Sequence, residues 1–379
     1  MPNAIVYCEG AFNTPNGKTA HGLVRFTARY NVVGVIDSRY RGQEAGLVLD
    51  GKSYDIPIFG SLQEAANASH MRGRPASHMV VGLAPDGGRM DPAVRRDIKR
   101  AITMGLNVDS GLHDFLSEDS EMSALAAKKG VILTDVRKPP PKSELHFFTG
   151  DIAKVNAFKI AVLGTDSAVG KRTTAWKLVE GFRQAGFTCE MIGTGQTAWM
   201  QGVRYGVIMD SLVNDFVAGE IEHAVYLAWV ERRPDVIVIE GQGSLMNPAY
   251  PGGFEILAAA RPDAIVLQHA PARKDYDGFP GHPIHPMRKQ IQALELISDT
   301  KVVAVTINHE GIPKHQLPWV CATIERRIGL PTVDVLVDGP MKVIAALAPL
   351  AKKRVATARS AIKRKRGLLR EKLAWITFR

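Results

Sequence analysis

The sequence contains no run of eighteen or more apolar residues, so it predicts no membrane-spanning helix. The stretch Met1–Tyr7 has no basic region ahead of a long apolar run, which argues against a secretory signal. The cysteines are few and far apart, at Cys8, Cys189 and Cys321, and fit neither a disulfide framework nor a zinc site. These absences together predict a cytoplasmic protein with reduced thiols.

The net charge of +10 is concentrated at the carboxyl terminus. Eleven of the 48 basic residues and one of the 38 acidic residues lie in residues 351–379, so residues 1–350 hold 37 of each sign. A neutral body argues against nucleic-acid binding anywhere except in the tail, where Lys363–Arg366 could contact RNA, an acidic surface or a protein partner. A solvated or disordered helix explains the tail as well, and its composition favours that interpretation.

The order of the apolar runs predicts an α/β protein with two parallel sheets. In residues 1–138, short apolar runs such as Val32–Ile36 alternate with helical segments, which is typical of a Rossmann-like domain. Three consecutive prolines, Pro139–Pro141, indicate a linker over residues 139–157. A second alternation over residues 158–350 predicts another α/β domain, which the glycine-rich loop described below marks as P-loop NTPase-like, and the basic tail, residues 351–379, follows it. The strands predicted for the second domain are Ile160–Leu163, Cys189–Ile192, Val236–Ile239, Ala264–Leu267, Val302–Ile307 and Thr332–Leu336.

A glycine-rich loop follows the first predicted strand of the second domain. Backbone N–H groups in such a loop point toward a phosphate, and the helix that follows adds the positive end of its dipole. Lys171 adds a full charge, and Thr173 or Thr174 offers a hydroxyl for phosphate or Mg²⁺. One more residue than in the standard motif separates Gly164 from Gly170, and Arg172 replaces the usual Ser or Thr after the lysine, which weakens the argument for a metal. The predicted phosphate-binding residues are Gly164, Thr165, Asp166, Ser167, Ala168, Val169, Gly170, Lys171, Arg172, Thr173 and Thr174.

Three polar side chains follow buried strands of the second domain. Glu240 follows Val236–Ile239 and could, with Thr173, hold Mg²⁺ beside the P-loop, although an ordinary strand-terminal acid is an equal alternative. His269 follows a strand at the edge where α/β sheets place their sites, and it is a candidate base, or part of a structural loop. Asn308 could read the edge of a nucleobase, or form a turn.

Candidates for substrate binding lie in small polar loops after other predicted strands. An ordinary polar loop explains several of them equally well. The candidates are Gly195, Gln196, Thr197, Gln242, Ser110 and His113.

The loop Gly164–Lys171 and the segment Ile239–Gly243 resemble dethiobiotin synthetase and its relatives. Up to about residue 340 the chain more closely resembles a two-domain P-loop family that includes the D-glutamate N-acetyltransferases. The resembling segments are Lys18–Ala20, Asp109–His113, Gly164–Thr174, Gly193–Thr197, Glu240–Leu245, Pro248–Tyr250 and Arg261–Leu267. The resemblance implies a Rossmann-like domain, a P-loop domain, and acetyl transfer from acetyl-CoA to D-glutamate or a similar amino acid. In that reaction Glu240 and His269 would do the acid–base work, and the P-loop would hold the donor's phosphates.

Two other functions fit the same residues. One is an ATP- and Mg²⁺-dependent ligase or kinase acting on a small carboxylate, in which Glu240 would be a metal ligand. The other is a nucleotide-gated binding protein whose tail contacts RNA or a partner. Arg172 argues against the first, because Mg²⁺ loses a standard ligand, and the neutral body argues against the second. A small amino acid or carboxylate is the expected ligand, and a homo-oligomer is compatible with the sequence.

Overall fold

Strands form where β-branched and other apolar residues are consecutive, because such residues pack well in a sheet that is buried on both faces. The computed structural model describes residues 1–357 and residue 360. Its strands are β1 (Asn3–Tyr7), β2 (Asn31–Ile36), β3 (Ile58–Phe59), β4 (His78–Val81), β5 (Asn107–Ser110), β6 (Leu133–Asp135), β7 (Phe158–Gly164), β8 (Cys189–Gly193), β9 (Tyr205–Gly206), β10 (Val236–Glu240), β11 (Ala264–His269), β12 (Val302–Ile307) and β13 (Thr332–Val333).

Helices connect most of these strands. They are α1 (Lys18–Arg25), α2 (Ala45–Asp50), α3 (Leu62–Met71), α4 (Pro92–Thr103), α5 (Ser120–Lys129), α6 (Lys171–Gln184), α7 (Gln196–Met200), α8 (Asn214–Arg232), α9 (Gly253–Ala260), α10 (Met287–Ser298) and α11 (Leu317–Ile328), and residues 341–357 are also helical. Short polar side chains fix several helix starts: Ser61 accepts a hydrogen bond from the N–H of Glu64 in α3, and Asp91 caps α4.

The strands form two sheets in which all neighbouring strands are parallel. The strand orders are β3-β2-β1-β4-β5-β6 and β13-β12-β11-β7-β10-β8-β9. The first order is that of dinucleotide-binding Rossmann domains. The second order places β7 inside the sheet, between β11 and β10. The predicted α/β class, with a Rossmann-like and then a P-loop NTPase-like sheet, is confirmed.

The chain divides into two compact units that exchange short segments of sequence. The first unit contains Met1–Glu144, Gly195–Arg204 and Ile208–Leu212, and the second contains Leu145–Thr194, Tyr205–Val207 and the described residues from Val213 onward. Helix α7 therefore belongs to the first unit, in which Met200 is fully buried within the hydrophobic core. The domain boundaries drawn from the sequence stay predictions.

The strand predicted over Thr332–Leu336 was too long. Strand β13 ends at Val333 because the Asp334 carboxylate accepts hydrogen bonds from the N–H groups of Leu336 and Val337, which turns the chain.

The basic tail is described only in part. Residues 351–357 continue the last helix, whereas the basic run Lys363–Arg366 lies outside the described residues. Within the described residues, no helix is both long enough and apolar enough to cross a membrane.

Candidate functional site

The glycine-rich loop joins the central strand of the second sheet to a helix. Strand β7 runs to Gly164, and helix α6 begins at Lys171. Gly170 lies between them with φ of 103°, a conformation that only glycine adopts without strain. The first amides of α6 have no acceptor within their own helix, so the loop directs N–H groups and a positive helix end toward the carboxyl edge of the sheet.

Lys171 lies across the loop rather than in solvent. Its side chain is buried, and Nζ donates a hydrogen bond to the main-chain oxygen of Asp166 at 2.7 Å. A Cβ on Gly164 would approach Nζ to 3.0 Å and the Asp166 oxygen to 2.9 Å, so the glycine makes room for this arrangement. The ammonium group is held at the glycine-rich loop, whose role in binding phosphate stays a prediction.

The Asp166 carboxylate connects the loop to two other segments of the chain. It is fully buried, and Oδ1 accepts hydrogen bonds from the N–H of Ser167 at 2.7 Å and from Nδ2 of Asn247 at 2.9 Å. Oδ2 accepts from Nη1 of Arg273 at 3.1 Å and from the N–H of Asp277 at 2.9 Å. The side chain predicted to bind phosphate therefore accepts hydrogen bonds within the protein and shapes the loop.

Arg273 also stabilises the loop through hydrogen bonds. Its Nη1 also donates to the main-chain oxygen of Ser167 at 2.9 Å, and its Nη2 donates to the Glu310 carboxylate at 2.8 Å. Asn247, Arg273 and Asp277 were missed by the sequence analysis because they lie about 80 to 110 positions from Asp166, and no local pattern marks such partners.

Glu240 lies at the end of β10, directly beside the P-loop strand in the sheet. Its carboxylate is buried, and Oε2 accepts a hydrogen bond from the N–H of Thr194 at 2.8 Å. Burial raises the pKa of the carboxyl, while the positive charges of Arg172 and Lys171 and the Thr194 hydrogen bond act in the opposite direction. A carboxyl with these neighbours can exchange a proton closer to neutral pH than an exposed glutamate does.

His269 lies at the end of β11, on the other side of β7. The Thr165 hydroxyl is 2.8 Å from its Nδ1. Burial lowers the pKa of this imidazole to about 4, so the ring is neutral at physiological pH. A neutral imidazole has one nitrogen lone pair that can accept a proton, as a general base must, but a pKa of about 4 makes this ring a weaker base than an exposed histidine.

The hydroxyl groups of α6 differ in what they can offer a metal. The Thr174 hydroxyl donates to Oε1 of Gln268 at 2.5 Å, and Thr306 donates to the same oxygen, so Thr174 is directed into the sheet. Thr173 is only half-buried. Within the described part of the chain, no group of three or more His, Cys, Asp or Glu side chains could hold a metal ion. The pairing of Thr173 with Glu240 as Mg²⁺ ligands stays a prediction.

Two further candidates lie near the same edge of the second sheet. The N–H of Asn308 donates to the main-chain oxygen of His269 at 2.7 Å, and its Oδ1 accepts from the N–H of Glu310 at 3.1 Å. The turn therefore uses the side-chain carbonyl of Asn308, and its side-chain NH₂ group is the part that could hydrogen-bond to a nucleobase. Gln242 is half-buried in the loop after β10.

The remaining substrate candidates, Ser110, His113, Gly195, Gln196 and Thr197, all belong to the first unit. The Ser110 hydroxyl accepts from the N–H of Leu112 at 3.2 Å, and a Cβ on Gly111 would meet Cγ of Gln196 at 2.7 Å. The Thr197 hydroxyl is 2.8 Å from that of Thr19. Burial and the charge of Arg137 lower the pKa of His113, so its ring is neutral at physiological pH. Their role in substrate binding stays a prediction.

A parallel sheet with a P-loop after its central strand, preceded by a Rossmann-like sheet, defines the class of this protein as a two-domain P-loop α/β protein. Residues 38–139 match the Rossmann-like domain DUF1611_N, and residues 146–344 match the P-loop domain described as a domain of unknown function, DUF1611_C. The chain belongs to the DUF1611 family.

Similar proteins support this assignment. A protein named D-glutamate N-acetyltransferase from Tritonibacter scottomollicae is 30% identical over 280 residues, which are 72% of this chain and 81% of that protein. Another of the same name from a Pseudoalteromonas species is 31% identical over 279 residues, with the same coverage of both chains. The crystal structure of a DUF1611 family protein from Anabaena variabilis ATCC 29413 has 26% identity and a TM-score of 0.84, and covers 92% of this chain and 100% of that one. The family resemblance seen in the sequence is confirmed, and the names of the relatives indicate an N-acetyltransferase family.

Proposed function

We propose that this protein transfers the acetyl group of acetyl-CoA to the amine of D-glutamate or of a similar small amino acid. The observation that carries the proposal is the P-loop strand flanked by Glu240 on one side and His269 on the other. The names of the two curated relatives supply the reaction.

The P-loop supports the binding of a donor that carries phosphates. The amides at the start of α6 and the ammonium group of Lys171 would hold the pyrophosphate of CoA, as such loops hold the phosphates of nucleotides. Arg172 in place of a hydroxyl-bearing residue favours a donor that needs no Mg²⁺. A phosphate that binds would compete with the Asp166 oxygen for the Lys171 ammonium group.

The chemistry needs a base, because an amino acid carries an ammonium group at neutral pH. After one proton leaves, the nitrogen attacks the thioester carbon, a C–N bond forms and the C–S bond breaks. The departing thiolate takes up a proton to give CoA-SH, and the amide nitrogen loses its second proton, so that one proton is released overall. Glu240 and the neutral His269 are the groups that would accept protons, and backbone N–H groups around Gly241–Gly243 would stabilise the developing oxyanion.

The experiment that tests the proposal is calorimetric titration with acetyl-CoA and, separately, with ATP plus Mg²⁺, followed by an assay of released thiol with D- and L-glutamate. We expect binding of acetyl-CoA without metal, and thiol release that depends on the amino acid. Binding of ATP that requires Mg²⁺, with acetyl-CoA ignored, would contradict the proposal and support an ATP-dependent ligase with Glu240 as a metal ligand.

Two matched variants of helix α6 test the donor site. We expect Lys171→Ala to weaken acetyl-CoA binding at least about tenfold, because a charge-assisted hydrogen bond to a phosphate contributes about 1.5–3 kcal/mol. Lys177→Ala removes from the same helix a lysine that pairs with Glu180 at 2.8 Å, and it should leave binding unchanged. Equal donor affinity in the two variants would remove Lys171 from the site.

A further inference from the structure

Thr194, which donates a backbone hydrogen bond to Glu240, also has a buried hydroxyl group without a well-aligned hydrogen-bond partner. Thr194 follows directly after β8 and is fully buried. Its N–H donates to the Glu240 carboxylate at 2.8 Å, whereas its Oγ1 has no partner with hydrogen-bond geometry within the described structure, although the hydroxyl is close enough to the carboxylate to help lower its pKa. A buried polar atom without a partner destabilises a fold, and such atoms are uncommon unless a ligand or a water molecule completes them.

The Thr194 hydroxyl lies beside the Glu240 carboxylate at the carboxyl edge of the second sheet. Strands β8 and β10 are neighbours, with Ile192 beside Ile239, so Thr194 and Glu240 lie at the same carboxyl edge of the sheet. Oγ1 belongs to the residue whose N–H already contacts the carboxylate, so the hydroxyl lies close to the Glu240 side chain. A carboxylate and a hydroxyl together form two acceptors for one donor group.

The charge decides which part of a substrate suits this pair. A carboxylate attracts a cation and repels the developing oxyanion of a thioester. The ammonium group is the positive group of an amino acid, and it needs several acceptors when it leaves water. A hydroxyl can accept one of its hydrogen bonds, and the carboxylate can accept another.

We propose that Thr194 Oγ1 and the Glu240 carboxylate bind the amino group of the acceptor substrate. This inference rests on the proposed acetyl transfer. It adds a substrate-binding residue that the sequence analysis passed over, since the candidates there began at Gly195. The pair holds the nitrogen beside a group that can take its proton, so binding and deprotonation of the amine occur at the same place.

The nearby cations predict how the two substrates influence each other. Arg172 and Lys171 lie close enough to Glu240 to affect its charge, and they oppose a second cation there. Phosphates bound at the P-loop would offset their charge. Bound CoA should therefore increase the affinity for the amino acid, and the amino acid should increase the affinity for CoA by the same factor.

The test is Thr194→Val, which removes the hydroxyl while keeping the shape of the side chain. With the CoA-saturated protein, we expect D-glutamate to bind about tenfold or more weakly to the variant, which is the loss of one hydrogen bond to a charged group. In turnover, KM for the amino acid should rise by a similar factor while KM for acetyl-CoA stays unchanged. Thr194→Ser, which keeps the hydroxyl, should restore both values.

Controls separate this role from a structural one. Thr323 on α11 has another buried hydroxyl without a partner, and Thr323→Val should change neither KM nor stability. Thr194→Val should not lower the melting temperature, because it removes an unsatisfied polar atom. An unchanged affinity for the amino acid in an active Thr194→Val protein would overturn the inference, as would a fall in kcat alone. An inactive wild-type protein that also fails to bind amino acids would instead remove the proposed function.

Discussion

The buried carboxylate of Asp166 offers the sharpest test of how the P-loop is held. We predict that Asp166→Asn strongly destabilises the second unit, although the two side chains have the same shape. Four donors point at the two carboxylate oxygens, from Ser167, Asn247, Arg273 and Asp277. An asparagine has one oxygen, so its NH₂ group must face some of these donors, and Arg273 loses its buried counter-charge.

A second carboxylate on the same arginine provides the control. Glu310 pairs with Arg273 at 2.8 Å, but its side chain is 49% exposed, whereas that of Asp166 is 0% exposed. Breaking a buried pair by removing one partner costs about 3–5 kcal/mol, whereas an exposed pair contributes about 0–1 kcal/mol. Since asparagine keeps part of the hydrogen bonding, we expect a loss of about 3 kcal/mol for Asp166→Asn. Glu310→Gln should cost less than about 1 kcal/mol.

The assay is urea unfolding at neutral pH, monitored by tryptophan fluorescence. Trp176, Trp229 and Trp319 lie in the second unit and report on it directly. The free energies of unfolding of the two variants should differ by about 2 kcal/mol or more. Equal losses in both variants, or a loss under about 1 kcal/mol for Asp166→Asn, would show that the Asp166 contacts do not hold the loop.

Two further predictions concern other residues of the second unit. Burial lowers the pKa of His269 to about 4 in the folded protein. As the pH falls, this imidazole therefore takes up a proton in the unfolded chain before it does so in the folded one. The residue contributes stability that is fully present above about pH 6.5 and is lost as the pH falls toward 4. Between pH 7.5 and 5 the wild type should therefore lose about 2 kcal/mol more than His269→Asn, measured by urea unfolding, and parallel pH profiles would contradict the pKa shift. In helix α8, a Cβ on Gly219 would lie 2.1 Å from the main-chain oxygen of His146, so Gly219→Ala should cost about 1–3 kcal/mol and speed chymotrypsin cleavage near Phe147. A cleavage rate equal to that of the wild type would mean that residues 145–152 do not pack on α8 as described.

Local patterns were enough to predict the loop, its strand and the carboxylate beside it. Gly164 and Glu240 follow apolar runs directly, Lys171 ends the loop that Gly164 begins, and the carboxyl ends of parallel strands meet at one edge of a sheet. The sequence therefore predicts that these residues lie close together, because each is placed by a strand end or by the loop that follows one.

The contacts that shape the site could not be predicted in this way. Asn247 and Arg273 are ordinary loop residues in the sequence, and their partner Asp166 becomes known only when three separate loops are folded together. The same holds for Thr194, whose hydroxyl has meaning only because its N–H contacts Glu240. Periodicity reports which face of an element is buried, but it carries no information about which loops meet.

The exchange of segments between the two units affects folding during translation and the products of proteolytic cleavage. Met200 is part of the first unit's core, yet it is encoded after the P-loop and its helix. On a ribosome the first unit therefore cannot complete its core until about residue 212 has emerged, by which time β7, α6 and β8 of the second unit are already outside. A fragment ending at Glu144 would leave an opening where Met200 belongs. Expression of the two units as separate proteins should thus give poorly soluble products, whereas cleavage of the intact protein at Pro139–Pro141 would leave residues 195–204 in place.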